Sequence, residues 1–375
     1  MSKAAELANL IGNINAGGGG VNRNLVINGA MNVAQRGHTS TGLGASSGYF
    51  TCDRWEVSLN NTAGRFTMTQ DSSAPIGFAN SLKLACTTAD TSIASDEQFK
   101  LEQKIEGQNL QAFAKGTSSA KPFAVSFYVK GNASATYVCE LYDLDNNRQC
   151  SKTFNVTTDW TRVELTFPAD TTGAFDDDNA KSLNLSIFLH AGSDRTSGTL
   201  NSSGFASSTN ANRAAGISSF FDSTDRTFFI TGVQLEVGQN PTSFEHEPFA
   251  TTLLKCQRYF HAVSGAGHPF PIDSAYARYI THSQDTNGTK WFYEYPVEMR
   301  AIPTLELNNI SSSTVQHYNY NAGASYNMTG SSLSESGTRH AHISFTFASG
   351  ISTGNTVSWR WLNNPNASWN FKAEL

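Results

Sequence analysis

Charged side chains are scarce in this sequence. Only 15% of its 375 residues are Asp, Glu, Lys or Arg, against ~25% in an average globular chain. With a net charge of −5 and no long basic run, the counterion release that drives nucleic-acid binding has no source, so nucleic acid is excluded as a partner. No apolar run approaches the ~18–20 residues that span a bilayer, which excludes membrane insertion. The opening residues, MSKAAELANL, lack a basic segment followed by an unbroken apolar core. They do not form a secretory signal, and synthesis in a cytoplasm is expected.

The motifs of common chemistries are missing too. No G-x-S-x-G occurs, so there is no nucleophile elbow. Gly42-Leu43-Gly44 with Gly48 has neither the dinucleotide spacing nor a following Lys-Ser/Thr. A glycosidase needs two carboxylates about 5–10 Å apart, and nothing in the sequence singles out a pair. The five cysteines (Cys52, Cys86, Cys139, Cys150, Cys256) are scattered, with no C-x-x-C, so zinc and redox sites lack support. A hairpin turning at Asn146-Asn147 would pair Cys139 with Phe154 and Cys150 with Asp143, too far apart for a bridge. Buried thiols in a reducing compartment are expected. The expectation is a non-enzyme with no cofactor and no metal.

Aromatic residues and neutral polar ones fill the gap that charge leaves. With 24 Phe, 12 Tyr and 6 Trp, core material is ample and disorder is excluded. From Val21 to Val237, short alternating runs are separated by Gly, Asn, Asp and Ser clusters. In Pro122–Val129, for example, Phe123, Val125, Phe127 and Val129 fall on one face. About ten such runs, with a helix-compatible patch at Asn109–Ala114, predict a two-sheet antiparallel sandwich. Its first strand, Asn24–Asn28, should lie near its last, Ile230–Val237. Ala191–Ser219, rich in Gly, Ser and Asn, reads as a long exposed loop. Trp55 and Trp160 read as core.

The stretch GVQLEVGQNPTSFEHEPFATTLLKCQRYF (Gly232 to Phe260) marks a boundary. Val233, Leu235 and Val237 alternate as a strand, Gly238, Asn240 and Pro241 stop it, and Thr251 to Phe260 fits a short helix. Further short strands follow. At the other end, residues 2–15 read as a helix with Leu7, Leu10, Ile11 and Ile14 on one face and Gly17 to Gly20 as a tether. A lone helix of this length is marginal in water, so its stripe needs sister copies or another protein. The fold expected is all-β, with an attachment helix and tether over 1–20, a sandwich over 21–241 and a smaller β-domain over 242–375.

GVQLEVG running into FEHEPF and CQRYF resembles the joint in tail-fibre and related virion proteins of tailed bacteriophages. RNLVINGAMNVAQRG (Arg23 to Gly37), CDRWEV (Cys52 to Val57), YPVEMRAIPTL (Tyr295 to Leu305) and WNFKAEL (Trp369 to Leu375) resemble the same proteins. The sandwich also resembles jelly-roll carbohydrate-binding modules. These resemblances imply a virion appendage made in a host cytoplasm, foremost a homotrimeric tail fibre. It would join other virion proteins of the tail or baseplate through its N-terminus and meet a host surface glycan or protein. The alternatives are a capsid head fibre or decoration protein, and a polysaccharide-degrading fibre. Jelly-roll modules often hold a structural calcium, for which Asn28 and Glu236 would be the candidates. Ala30 stands where the module's acidic residue follows Asn-Gly, so no metal site is assigned there.

Three places remain where residue spacing suggests binding. Asp143-x-Asp145-x-Asn147 begins like a calcium loop, but Arg148 and Phe154 stand where its glycine and glutamate belong, leaving a hairpin tip. His340 and His342 share a strand face as two metal ligands do, with no third ligand spaced to join them. Aromatic stripes are the better signal, because sugar C–H faces pack on rings. Trp359 with Trp361, Tyr318 with Tyr320, and Trp291 with Tyr293 and Tyr295 are such stripes. Core or subunit interface is the leading reading for them. As receptor contacts, Trp359, Trp361, Tyr318 and Tyr320 are the candidates.

Overall fold

Alternation of apolar and polar residues sets the strands of both units into which the chain divides. The computed structural model describes Lys3 and residues 22–264, 280–282, 288–308, 315–347, 352–361 and 368–375. The attachment stripe of Leu7, Leu10, Ile11 and Ile14 lies outside the described residues. Unit 1 is Met1–Thr252 with Leu375, and unit 2 is Leu253–Glu374. The division thus falls within helix Phe249–Gln257.

The strands of unit 1 are β1 (Thr39–Leu43), β2 (Gly48–Tyr49), β3 (Glu56–Asn60), β4 (Arg65–Asp71), β5 (Ser81–Thr88), β6 (Gln98–Glu106) and β7 (Phe123–Gly131). They continue with β8 (Ala135–Asp143), β9 (Arg148–Val156), β10 (Thr161–Phe167), β11 (Lys181–Ala191), β12 (Ala206–Ser207) and β13 (Thr227–Val237). One sheet runs β1-β4-β5-β13-β7-β10 and the other β12-β9-β8-β11-β6-β3-β2 among the described residues. All their pairings are antiparallel. The result is a jelly-roll-like sandwich.

Phe123, Val125, Phe127 and Val129 of β7 are fully buried, as their spacing predicts. They share one core with Phe99 and Leu101 of β6, Leu185 and Ile187 of β11, and Leu141 of β8. Each such side chain contributes about 1.5–3 kcal/mol by leaving water. Rings interlock within it: Phe66 stacks on Phe99 at 4.8 Å and Phe113 on Phe123 at 3.9 Å. The Asn109–Ala114 patch is not an α-helix: it joins a 3-10 turn at Gly107–Asn109 to a second at Gln111–Phe113.

Some expectations hold and others are corrected. Trp55 is core, with Nε1 donating to the Asn28 carbonyl at 3.2 Å. Trp160 is half-buried against Phe229 and Lys130, because it shares the parity of Arg162 rather than that of buried Val163 and Phe167. Asn24–Asn28 does lie beside β13, with Leu25 N–H donating to the Leu235 carbonyl at 2.9 Å. It is not a strand, however. The Asn24 side chain accepts from Val26 and Leu235 N–H and donates to the Val233 carbonyl, so it replaces the ladder. The hairpin between β8 and β9 has a longer loop than Asn146-Asn147 alone, because Asp143 pairs with Arg148. Cys139 therefore faces Lys152, and Cys150 faces Leu141. All five cysteines are buried thiols, and burial, with Asp53 next to it, pushes the Cys52 thiol up to about 12.

The segment after β11 is not an exposed loop. It carries α1 (Ser193–Thr196), β12 and a 3-10 turn at Asn210–Asn212. Ala214, Leu200 and Ile217 pack on Val138 of β8 and Phe188 of β11. Arg213 anchors it with a two-pronged bond to Glu140 at 2.7 and 2.8 Å.

Unit 2 is a smaller β-sandwich. Its described strands are β14 (Phe260–Ser264), β15 (Ile280–His282), β16 (Gly288–Glu294), β17 (Thr304–Asn308), β18 (Val315–Asn319), β19 (Ala324–Ser336), β20 (His340–Phe347), β21 (Thr356–Trp361) and β22 (Ser368–Lys372). One layer is β14-β22-β17, the other β15-β21-β18-β19-β20-β16. Trp369 and Phe371 of β22 pack on Trp291 of β16 and Ile343 and Phe345 of β20.

Candidate functional site

β16, Gly288–Glu294, carries three consecutive aromatics, and the two-residue period of a strand splits them between faces. Trp291 is buried and Tyr293 is half-buried, with Tyr295 buried just beyond the strand. Tyr293 stacks on Phe371 at 5.4 Å, and its hydroxyl bonds His261 Nε2. That stripe is therefore core, as the leading reading of its spacing holds. Burial raises the Tyr295 hydroxyl well above the usual tyrosine range, so the group is a neutral core element.

Phe292 has the opposite parity and is 55% exposed. It stands on a sheet edge, paired in register with His342, while Glu294 pairs with His340. Both imidazoles pack on its ring, each with a centroid separation of 5.4 Å, one tilted and one edge-on. The face continues through Ser344 and Thr346 of β20 and Ser332 of β19. Thr346 Oγ1 and Thr329 Oγ1 are 3.3 Å apart. Charge there is balanced locally: Glu335 lies 3.2 Å from His342 Nδ1 and 3.3 Å from Lys290 Nζ. A single exposed apolar residue is ordinary. A ring held in place by two imidazoles and bordered by hydroxyls is a surface suited to a molecule with both a flat apolar face and many polar groups.

Of the residues singled out for binding, Tyr318 is half-buried and Tyr320 is 49% exposed, with their rings edge-on at 5.1 Å. Trp359 and Trp361 belong to β21 by their backbone, and their side chains lie outside the described part. In register Trp359 stands opposite His317, whereas Tyr318 stands opposite Ser358. The tryptophan and tyrosine pairs thus occupy positions of opposite parity along these strands. Sequence reasoning noticed His340 and His342 but missed Phe292. The signal was present, as an aromatic at the polar parity of an alternating strand.

The outer face of the seven-stranded sheet in unit 1 offers a contrast. Lys100 and Glu102 pair at 2.8 Å, Lys104 pairs with Glu56, and Arg213 with Glu140. Arg213 also lies over the Tyr142 ring at 4.5 Å and Phe188 at 5.7 Å, occupying ring faces that a ligand would otherwise use. Asn28 and Glu236 are both engaged within the chain. Asn28 bonds the Val33 backbone and the Asp53 carbonyl. Glu236 accepts from Thr242 and Gln234 and forms an ion pair with Arg23 at 3.6 Å.

No family model matches the chain, and neither does any curated protein. Among solved structures, it is similar to a family 11 carbohydrate-binding module from Clostridium thermocellum in complex with a β-1,3-1,4-mixed-linked tetrasaccharide. That likeness has 12% identity and a TM-score of 0.27, over 56% of this chain and 99% of that one. It is also similar to TmCBM61 in complex with β-1,4-galactotriose, at 13% identity and a TM-score of 0.29, over 57% and 99% of the two chains. A third is the enzymatically active domain of bacteriophage CBA120 tailspike protein 4, at 12% identity and a TM-score of 0.30. It is matched over 57% of this chain and 21% of that one. Likeness at this level carries no argument about what the chain binds. No described helix is long and apolar enough to cross a membrane.

Proposed function

We propose that this chain is a glycan-binding attachment protein of a tailed-phage virion, in its most concrete form a homotrimeric tail fibre without enzymatic activity. Made in the host cytoplasm, it joins the tail through residues 1–20 and presents unit 2 to the host surface. The observation that carries glycan binding is the Phe292 ring, exposed between His340 and His342 and bordered by Ser344, Thr346 and Ser332. Such a surface fits a neutral sugar, with the ring under the C–H face and the hydroxyls and imidazoles at its rim. The virion assignment rests on GVQLEVG, FEHEPF and CQRYF and their resemblance to fibre proteins. A single aromatic platform binds weakly, on the order of millimolar, and several copies on one particle raise the apparent affinity ~10²–10⁴-fold.

The test is Phe292→Ala in the full chain, with glycan-array and host-cell binding measured beside a thermal melt. Loss of at least tenfold in binding with an unchanged melting temperature is expected, because the side chain is outside the core. Unchanged binding to every glycan and cell that wild type recognises overturns the platform. Antibody labelling of virions tests the location, and label on capsids alone overturns the tail assignment.

A further inference from the structure

Far along the chain from Phe292, within unit 1, three side chains of metal-binding type converge. Asp90 follows β5, Glu97 immediately precedes β6, and His190 lies near the end of β11. All three are buried, at 5%, 4% and 0% exposure. One ligand atom from each lies within 4.8 Å of the others.

Each side chain is fixed from outside and turned inward by its other atom. The Asp90 Oδ2 atom accepts from Ala63 N–H at 2.8 Å and from the Thr62 hydroxyl at 3.1 Å. Glu97 Oε1 accepts from Ala94 N–H at 3.0 Å. His190 Nδ1 is 2.8 Å from Ser219 Oγ, which also accepts from Phe221 N–H. That hydroxyl oxygen has a lone pair left for Nδ1–H, the tautomer that leaves Nε2 with its own lone pair. Nε2 points at Glu97 Oε2, 2.9 Å away. An outside partner that fixes a ring in this way is what metal-bound histidines commonly have.

Charge supplies an independent reason. Neither carboxylate has a lysine or arginine partner among the described residues. One oxygen of Asp90 and one of Glu97 nevertheless lie within 4.8 Å of each other and of a His190 nitrogen. Two carboxylates have no hydrogen to share, and one imidazole balances at most one of them. Buried like charges this close are disfavoured unless one of them takes up a proton or a positive centre lies between them. Ligands about 2.0–2.2 Å from one tetrahedral zinc ion are themselves about 3.3–3.6 Å apart. The 2.9 Å between Nε2 and Oε2 is a hydrogen-bond distance, and binding an ion there spreads the two atoms by about 0.4–0.7 Å.

We propose that Asp90, Glu97 and His190 form a binding site for a first-row divalent cation such as zinc, with one imidazole nitrogen, two carboxylate oxygens and water completing the shell. The ion ties the segment between β5 and β6 to β11. Its role is structural, because the three ligands are buried. Calcium and magnesium are poorer fits, since both prefer all-oxygen shells.

The experiment uses the full chain without an affinity tag, stripped with EDTA, desalted and titrated with zinc chloride alone. Expected are one tightly held zinc per chain after gel filtration and a melting temperature several degrees above that of the stripped protein. His190→Gln and Glu97→Gln should each lose both effects. His340→Ala with His342→Ala should keep both, which separates this site from the surface pair. Glu97→Gln keeps hydrogen-bonding capacity toward Ala94 and His190, so it decides the matter if His190→Gln fails to fold. Absence of bound zinc and of any melting shift in wild type overturns the proposal. So does retention of zinc in Glu97→Gln.

Discussion

The ammonium of Lys115 lies 2.5 Å from the Asp143 carboxylate, with 1% and 0% of the two side chains exposed. Asp170 adds a second carboxylate at 3.1 Å, and the carbonyls of Thr172 and Gly173 accept from the same Nζ at 2.9 and 2.6 Å. Asp143 opens the run Asp143-x-Asp145-x-Asn147, which begins like a calcium loop. Its positive partner is the chain's own lysine.

Removing that ammonium should be costly. Lys115→Met leaves Asp143 and Asp170 buried beside each other, though Arg148 still pairs with Asp170 at 2.8 Å. Breaking a buried pair in this way costs about 3–5 kcal/mol, to be read from urea unfolding. The vacated oxygens are hard ligands, so millimolar calcium should raise the melting temperature of the variant and leave that of wild type unchanged. A variant as stable as wild type would show that the cage is not a source of stability.

Acid should destabilise unit 1 through a few identifiable groups. Burial pushes the Asp170 carboxyl upward, but its bonds to Arg148 and Lys115 outweigh that and hold it below the usual range. Burial likewise opposes ionisation of Glu102, and Lys100, Lys104 and the Ser186 hydroxyl together bring it below the usual range. Both folded values lie below the unfolded ones of ~3.9 and ~4.3. Their contribution is therefore complete above about pH 4–5 and is lost as pH falls through the lower folded values. Melting temperature should be flat near neutrality and fall steeply below pH 4–5. In Asp170→Asn the fall should be shallower. An equally steep fall in that variant would assign the acid sensitivity elsewhere.

The cover over the seven-stranded sheet depends on one cation. Arg213→Ala leaves Glu140, fully buried, without the partner that holds it at 2.7 and 2.8 Å. Residues 192–219 should then become the first site of limited proteolysis, while wild type resists cleavage there. The variant should also lose about 3–5 kcal/mol of stability. Resistance equal to wild type would mean that Ala214, Leu200 and Ile217 suffice to hold the segment down.

What the sequence disclosed followed from local period. Phe123 to Val129 alternate, and the core of β7 matches them residue for residue, because a period of two leaves no choice of face. The same rule placed Phe292 outside, but its neighbours Trp291 and Tyr293 drew attention to the stripe that became core. Turn geometry was harder. The pairing of Asp143 with Arg148 shifts Cys139 and Cys150 relative to a tighter turn, and nothing local distinguishes a two-residue from a four-residue loop here. Long-range chemistry was not legible at all. Lys115 meets Asp143 and Asp170, and Asp90 meets His190, only because sheet order brings distant strands together.

The position of β22 between β14 and β17 has a kinetic consequence. Phe260 of β14 pairs with Lys372, and Thr304 of β17 pairs with the same residue from the other side. During synthesis β14 and β17 leave the ribosome well before the strand that joins them. Until residues 368–372 arrive, Trp291, Ile343 and Phe345 have no Trp369 or Phe371 to cover them. Contacts this distant in sequence fold slowly, and chains caught waiting expose apolar edges to one another. Unit 2 should therefore be the slow step of maturation, and the crowding of nascent chains should favour pairing between copies at that moment.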